Sequence, residues 1–258
     1  MEHGARFIEM HESGTFVMVN VADAGTAAAV CDAGAAAIAT TSGGHAATIG
    51  RRDAAGDVTM EEHALHTELL VRAASVPCNV DAENGYGHDP DDMASAVRRF
   101  AATGAGGMGI EDWSGAEEIG LYDRVRAIAR IEAAVEAARA LDHPFVITGR
   151  TEVLLYGLGG MDEALARLQG FAEVGAHCLF APGTWDLPSI ETVTKNAGGA
   201  VNILVPLSET NPHGHVSFGL SDLAELGVRR ISLGGSLYRA QVAHAADRVR
   251  TMLASGSF

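Results

Sequence analysis

Lysine is almost absent from this sequence, in which Lys195 is the only one among 258 residues. Because Lys195 lies in a polar stretch typical of a helix end, an aldolase mechanism that needs a desolvated lysine in a pocket is disfavoured. Basic residues in general are scarce: 18 Lys plus Arg face 33 Asp plus Glu, and the formal net charge is −15. Such a charge repels nucleic acids and anionic membrane surfaces, so we expect neither as a partner. An anionic substrate then needs a local source of positive charge, such as a metal ion, an arginine or backbone N–H groups.

Cysteine is also rare. The three cysteines, Cys31, Cys78 and Cys178, are far apart and each lies in an apolar stretch, which is typical of reduced core residues rather than of a disulfide framework. No run of about 18 apolar residues occurs, and residues 1–6 lack the features of a secretory signal. We therefore predict a cytoplasmic protein.

Short apolar runs alternate with longer segments of helical period, and no linker interrupts the pattern. The eight predicted strand and helix pairs are 15–21 with 25–33, 36–41 with 60–74, 77–82 with 91–102, 107–111 with 122–140, 144–150 with 161–174, 177–181 with 187–196, 201–206 with 221–226, and 230–233 with 238–253. Strands that alternate with helices pair in parallel, and eight such units close a barrel of this length. An open doubly wound sheet is the alternative, but residues 20–25 lack its glycine-rich phosphate turn. The sequence predicts an α/β fold, a single (β/α)₈ TIM-type barrel over residues 1–258 with its active site at the C-terminal ends of the strands.

Acidic residues gather at two neighbouring strand ends. Asp81 and Glu83 are two apart at the end of the third predicted strand, so both side chains can face the same cavity. Glu111 and Asp112 end the next strand. Because Mg²⁺ prefers carboxylate and water oxygens, this pattern favours a magnesium site. The alternative is that these acids cap helices or pair with arginines.

The same segments carry a family resemblance. Residues 81–87 (DAENGYG) resemble the D-x-[DE]-x-G-[YF]-G metal motif of the isocitrate lyase/phosphoenolpyruvate mutase superfamily, and 109–112 (GIED) resemble its next strand end. Residues 39–44 (ATTSGG) and 147–152 (ITGRTE) are similar to two further motifs of that superfamily, in the same order. The resemblance covers roughly residues 16–240.

The resemblance implies a metal site and its cofactor. Asp81 would be the direct ligand of Mg²⁺, or of Mn²⁺ in its place, while Asp53, Glu83 and Glu111 would hold metal-bound waters. Asp57 is close enough in sequence to be an alternative to Asp53.

The resemblance also implies how a small anionic carboxylate substrate is bound. Thr41, Ser42 and Gly43 would offer backbone N–H groups and a hydroxyl, Asn202 would contribute to the same site, and Arg150 would bind a carboxylate. Arg150 has an alternative role as the ion-pair partner of neighbouring acids, Glu152 or Glu111. A homo-oligomer, a tetramer or a dimer, is also implied, in which the predicted C-terminal helix, residues 235–254, packs on a neighbouring subunit.

The segment after the fourth strand departs from the family pattern. Isocitrate and methylisocitrate lyases carry a K-[KR]-C-G-H stretch there, whereas residues 113–122 (WSGAEEIGLY) contain no Cys, Lys or His. The chain thus looks like a phosphonomutase-like member that lacks the lyase cysteine, and both isocitrate lyase and mutase activity are disfavoured. Ser114 in this loop and Tyr86 after the metal acids are candidates for catalysis, although Tyr86 can also simply pack. His213 and His215 give only weak evidence of a zinc site.

The predicted function is that of a Mg²⁺-dependent C–C bond lyase or decarboxylase that acts on a small 2-oxo- or 2-hydroxycarboxylate through an enolate. A phosphonopyruvate hydrolase or another P–C bond enzyme is an alternative that uses the same metal site. A non-catalytic 2-oxoacid-binding protein is a second alternative.

Overall fold

A closed barrel of eight parallel strands forms the centre of the molecule. The structure is a computed structural model that describes residues 2–53, 56–208 and 216–258, so the predictions made for His213 and His215 lie outside the described residues. The strands follow one another in chain order, and β8 closes the barrel against β1 with Arg230 opposite Phe16. Their bounds are Phe16–Asn20 (β1), Ala37–Ala39 (β2), Cys78–Asp81 (β3), Gly107–Glu111 (β4), Val146–Arg150 (β5), Cys178–Phe180 (β6), Val201–Leu204 (β7) and Arg230–Ser232 (β8).

Helices surround this barrel. In the described segments they are Glu2–Glu12 (α1), Ala24–Asp32 (α2), Ser42–Thr48 (α3), Met60–Ala73 (α4), Pro90–Ala101 (α5), Arg124–Arg139 (α6), Met161–Glu173 (α7), Leu187–Asn196 (α8), Leu220–Glu225 (α9) and Ser236–Ser255 (α10). None of them is both long enough and apolar enough to cross a membrane. The predicted (β/α)₈ barrel is confirmed: every predicted strand position holds a strand, and the predicted helices are α2 and α4 to α10.

Two helices, α1 and α3, were not expected from the sequence. The α3 segment begins with Ser42, Gly43 and Gly44, and because glycine is a poor helix former the segment looks like a loop. It becomes a short helix because the Thr41 side chain accepts a hydrogen bond from the Gly44 N–H at its first turn. Helix α1 instead lies under the barrel, where Phe7 is fully buried.

The main apolar core lies between the strands and the outer helices. Outward residues such as Met108 and Ile110 of β4 pack there with Phe100 of α5 and Phe171 of α7. Inside the barrel the apolar packing is confined to the lower end, where Phe7 of α1 meets a small group of inward residues, Phe16, Met18, Ala37, Ala39 and Val146. The upper part of the barrel interior is therefore available for a cavity.

Helix α10 leaves the barrel soon after it begins. Ser236 is buried and Gln241 still donates a hydrogen bond to Thr26 of α2, at 2.9 Å. Beyond that point nearly every side chain is exposed, and these include Val242, Val249 and Leu253. An apolar stripe on an exposed helix is a surface that a partner can cover.

Candidate active site

A cavity of about 450 Å³ opens at the C-terminal ends of the strands. Its walls include the predicted residues Thr41, Ser42, Gly43, Asp53, Asp81, Arg150 and Asn202. It also runs down into the barrel, where Met18, Thr148 and Arg230 line it. The barrel end at which the sequence places the active site is thus the end at which this cavity opens.

Arg150, the last residue of β5, stands among three carboxylates. Its Nη1 lies 3.2 Å from Asp81 Oδ1 and 3.3 Å from Glu111 Oε2, and its Nε donates to Glu152 Oε1. Although burial opposes the charged form, the negative charges of Glu152, Glu111 and Asp81 raise the pKa of Arg150 well above its usual value. The Phe180 ring lies 5.2 Å below the guanidinium and limits its movement. The three acids end or follow consecutive strands, β3, β4 and β5, so the barrel brings them together.

Asp81 is held in place from two sides. Its Oδ2 accepts hydrogen bonds from the Ser42 N–H and the Ser42 hydroxyl, each at 3.0 Å, while Oδ1 faces Arg150. Its backbone N–H donates to Thr40 Oγ1 at 2.9 Å. Ser42, predicted to bind substrate, here orients the predicted metal ligand.

Glu83 follows β3 in an unusual backbone conformation. Its φ is +48° and that of Tyr86 is +62°, a region that residues other than glycine seldom occupy and that is found at functional sites more often than elsewhere. Burial, together with the charges of Asp81 and Asp53, raises the pKa of Glu83 to about 7, although Arg150 acts in the opposite direction. Burial likewise raises the pKa of Glu111 well above its usual value despite the nearby Arg150 charge. Burial is the largest cause of both shifts, and the neighbouring carboxylates, which outnumber Arg150, add to it.

A hydrated divalent cation fits this excess of charge. Across residues 2–53, 56–208 and 216–258, no three Asp, Glu, His or Cys side chains are arranged as a complete set of direct ligands. Mg²⁺ does not require one, because it commonly binds proteins through one or two carboxylates and keeps several waters. Glu152 Oε2 is buried without a hydrogen-bond partner in the described chain, which is the situation that an added cation or water would relieve. Asp81 as direct ligand, with the other acids on bound waters, is compatible with this arrangement.

Asp53 and Asp57, which the sequence left as alternatives, occupy different places. Asp53 lines the cavity, and a Cβ added to Gly43 would lie 2.7 Å from its Oδ2. Asp57 accepts from Arg52 Nε at 2.8 Å, and Arg52 is exposed. The geometry therefore favours Asp53 as the acid that can face a bound cation.

Asp112 turns away from the cavity. Its Oδ2 accepts from Arg167 Nη1 at 2.9 Å, and its Oδ1 accepts from the Glu152 N–H at 2.8 Å. Burial raises its pKa in spite of these hydrogen bonds. Pairing with an arginine, the alternative given for the strand-end acids, is thus seen for Asp112 with Arg167, and it is also seen for Asp81 and Glu111 with Arg150.

Tyr86 and Ser114 do not line the cavity in the described structure. The Tyr86 hydroxyl is hydrogen-bonded to His63 Nδ1, and His63 Nε2 lies 3.1 Å from Thr40 Oγ1, the same hydroxyl that accepts from the Asp81 N–H. The Ser114 hydroxyl donates to the Ala116 carbonyl at 3.0 Å. No catalytic contact of either residue is seen, and their roles in catalysis stay predictions.

The loop after β4 is a small closed hairpin. Trp113 pairs with Leu121 in a β-bridge, and the Ser114 N–H donates to the Gly120 carbonyl at 3.0 Å. The Trp113 ring stacks on Tyr156 of the loop after β5, with ring centroids 4.5 Å apart. These contacts close the loop after β4 on itself and join it to the loop after β5.

Several cavity residues were not predicted as site residues. Asn20, Thr148, Phe180, Arg230, Tyr238 and Arg239 all line the cavity. One signal in the sequence was available for two of them: Thr148 lies two residues before Arg150, and Arg230 two residues before Ser232, so each shares a strand face with a strand-end polar residue.

Fold and site together define a (β/α)₈ barrel with a cluster of acids and an arginine at the C-terminal ends of its strands. The chain belongs to the phosphoenolpyruvate phosphomutase family, whose profile matches residues 7–253. The predicted membership of the isocitrate lyase/phosphoenolpyruvate mutase superfamily is thereby confirmed.

Curated relatives carry lyase and decarboxylase names. The 2-methylisocitrate lyase of Escherichia coli (strain K12) is 32% identical over 138 residues, which are 51% of this chain and 45% of that protein. The oxaloacetate decarboxylase of Bradyrhizobium sp. (strain BTAi1 / ATCC BAA-1182) is 29% identical over 179 residues, 67% of this chain and 57% of that protein. The chain thus spans about half the length of the curated relatives that it matches.

Solved structures match over the whole chain. A Burkholderia cenocepacia J2315 protein described as a lyase or mutase is 37% identical, with a TM-score of 0.92 over 100% of this chain and 90% of that one. A phosphonopyruvate hydrolase solved with oxalate and Mg²⁺ shares the fold, with 23% identity, a TM-score of 0.87 and coverage of 100% of this chain and 89% of that one.

Proposed function

We propose that this protein is a Mg²⁺-dependent C–C bond lyase or decarboxylase that acts on a small 2-oxo- or 2-hydroxycarboxylate through an enolate. The observation that carries the proposal is the gathering of carboxylates from β3, β4 and β5 around Arg150 at the cavity mouth. The names of the relatives, a lyase and a decarboxylase, support the reaction class.

The chain's own residues account for binding and orientation. Arg150 would bind a substrate carboxylate, and because Phe180 and three acids fix its guanidinium, little ordering is needed on binding. Asp81 would hold Mg²⁺, or Mn²⁺ in its place, with Asp53, Glu83 and Glu111 on its waters. The cation would supply the positive charge that stabilises an enolate as it develops.

Asn202 would orient the substrate from β7, two strands away from Arg150 on β5. It is 1% exposed, and its amide is fixed by Ser232 Oγ at 2.9 Å and by Arg230 Nε at 3.0 Å. Thr41 and Gly43, at the start of α3, complete the wall opposite.

We also propose a cytoplasmic homo-oligomer in which α10 packs on a second copy. The support is the exposed apolar stripe Val242, Val249 and Leu253. A Leu253→Glu variant should shift the sedimentation coefficient towards that of a monomer, and a wild-type protein that is monomeric at micromolar concentration would contradict this proposal.

The test of the reaction is a turnover screen of small 2-oxo- and 2-hydroxy-di- and tricarboxylates, with phosphonopyruvate included, in the presence and absence of Mg²⁺. Pyruvate, CO₂, glyoxylate and phosphate are measured. Asp81→Asn should abolish turnover and Mg²⁺ binding, and Asp53→Asn should weaken Mg²⁺ binding. Asp57→Asn, four residues further on at the surface, is the matched control and should leave both unchanged.

Each outcome is decisive. Release of pyruvate or CO₂ that is lost in Asp81→Asn supports the lyase or decarboxylase. Release of phosphate from phosphonopyruvate would assign a P–C bond enzyme instead. Mg²⁺-dependent oxalate binding without turnover of any compound would identify a binding protein.

A further inference from the structure

Arg230 is a buried arginine without a carboxylate partner. It begins β8, points into the barrel, is only 2% exposed and lines the lower part of the cavity. Its three side-chain partners are uncharged: Nε donates to Asn202 Oδ1 at 3.0 Å, Nη2 donates to Thr148 Oγ1 at 3.0 Å, and Nη1 lies 3.3 Å from His11 Nε2. No ion pair to Arg230 occurs within residues 2–53, 56–208 and 216–258.

His11 is a neutral acceptor rather than a second cation. Burial, with the nearby Arg230 charge, lowers the pKa of His11 to about 3. Its Nδ1 lies 2.6 Å from the Phe7 carbonyl, which can only accept, so Nδ1 carries the proton and Nε2 accepts from Arg230. The guanidinium charge therefore stays uncompensated by its neighbours.

An uncompensated buried charge is costly, and the cost falls when an anion binds. A guanidinium has five N–H groups, and the three contacts described use one each, so two are left for a ligand. Arg150, a half-buried arginine that also lines the cavity, is already surrounded by three carboxylates. Arg230 is thus the buried cation of this cavity best able to attract an anion.

The position of Arg230 relative to Arg150 suits a short chain with two anionic ends. Arg230 Nη2 is bonded to Thr148, which lies two residues before Arg150 on the same face of β5. Two residues span about 7 Å along a strand, a distance that a few carbon atoms bridge. Asn202 links the floor of the cavity to its upper part, because its amide contacts Arg230 below and Ser232 above.

We propose that Arg230 and Asn202 form an anion subsite on the floor of the cavity, which takes the second carboxylate of a short dicarboxylate substrate whose first carboxylate lies at Arg150. That the bound dicarboxylate is the substrate rests on the proposed function. The anion subsite itself is a property of the metal-free protein. It narrows the substrate class from carboxylates in general to dicarboxylates.

The subsite can be tested without metal or turnover. In EDTA, the affinities of succinate, a dianion, and butyrate, a monoanion of equal chain length, are measured by calorimetry. Wild type should bind succinate about 10- to 100-fold more tightly, the value of one charge-assisted hydrogen bond. Arg230→Gln should lose this preference. Arg229→Gln, the neighbouring arginine that donates to the Gly14 carbonyl outside the cavity, should keep it.

Further variants separate a binding role from a structural one. If Arg230→Gln does not fold, Arg230→Lys replaces it, and a succinate preference retained at a reduced level supports the subsite. An equal affinity of wild type for succinate and butyrate, or a preference unchanged in Arg230→Gln, overturns it. A succinate preference in a protein that shows no turnover would leave the subsite in place and reject only the proposed reaction. In an active enzyme, Arg230→Gln should raise the KM for a dicarboxylate about 10- to 100-fold and change kcat far less.

Discussion

The buried ion pair between Asp112 and Arg167 should stabilise the fold. Removing Asp112 should therefore lower the free energy of unfolding, which identifies Asp112 as a structural acid rather than a functional one. Asp112 is 2% exposed and Arg167 is 6% exposed. Asp112→Ala removes the acceptor 2.9 Å from Arg167 Nη1 and the acceptor of the Glu152 N–H. Breaking a buried pair by removing one partner costs about 3–5 kcal/mol, because the remaining charge stays buried.

Two contacts remain for Arg167 in that variant, so we expect the lower end of the range. The Tyr122 carbonyl still accepts from Nη1 at 2.8 Å, and the half-exposed Glu163 still lies 2.8 Å from Nε. A loss of about 3 kcal/mol corresponds to a fall in Tm of roughly 6–12 °C for a chain of this size.

The assay is urea denaturation followed by circular dichroism, with Tm as a second measure. Glu163→Ala removes the more exposed partner of the same arginine and should cost no more than about 1 kcal/mol. In a double-mutant cycle, Asp112→Ala and Arg167→Ala should be strongly non-additive. Equal costs for Asp112→Ala and Glu163→Ala would refute the assignment of Asp112 to the core.

Three further predictions concern the site. Burial and acidic neighbours raise the pKa of Glu83 to about 7, so between about pH 4.5 and pH 7 the Glu83 carboxyl binds more protons in the folded metal-free protein than in the unfolded chain. Buried histidines with lowered pKa values act in the opposite direction, but they do so in wild type and in Glu83→Gln alike. In EDTA, the free energy of unfolding of wild type relative to Glu83→Gln should therefore fall as pH rises through that window, and a difference that does not depend on pH argues against the shift. Gly43→Ala places a Cβ 2.7 Å from Asp53 Oδ2 and should weaken Mg²⁺ binding in calorimetry with little change in Tm, whereas an unaltered Kd would separate Asp53 from the metal site. Tyr86→Phe leaves His63 Nδ1 without its partner and should cost about 1–3 kcal/mol of stability, while a large loss of kcat at unchanged stability would place the hydroxyl in the chemistry.

The barrel and much of its mouth could be predicted because parallel strands end together. Asp81, Glu111 and Arg150 stand at strand ends in the sequence, and closure of the barrel brings their side chains into contact. Because side chains alternate along a strand, the residues two positions before Asp81 and Arg150, which are Asn79 and Thr148, also lie in the cavity wall. This reasoning needs only the strand order and the period of two.

Orientation within a pair of neighbouring residues could not be predicted in the same way. Glu111 points to Arg150 and Asp112 to Arg167, and the sequence places both acids at the same strand end. Tyr86 follows the acids that are predicted to hold a metal, yet its backbone has a positive φ and its hydroxyl is hydrogen-bonded to His63 on α4. Both outcomes depend on tertiary contacts that no local pattern records.

The open barrel interior has a practical consequence for finding the substrate. TIM barrels usually fill this space with bulky branched residues, whereas here Asn79, Gly109, Thr148 and Asn202 border the cavity. A compound that fills it supplies packing that the chain does not, and at one hundred times its Kd it should stabilise the fold by about 2.7 kcal/mol. The resulting rise in melting temperature is large enough to rank a library of acids without a turnover assay.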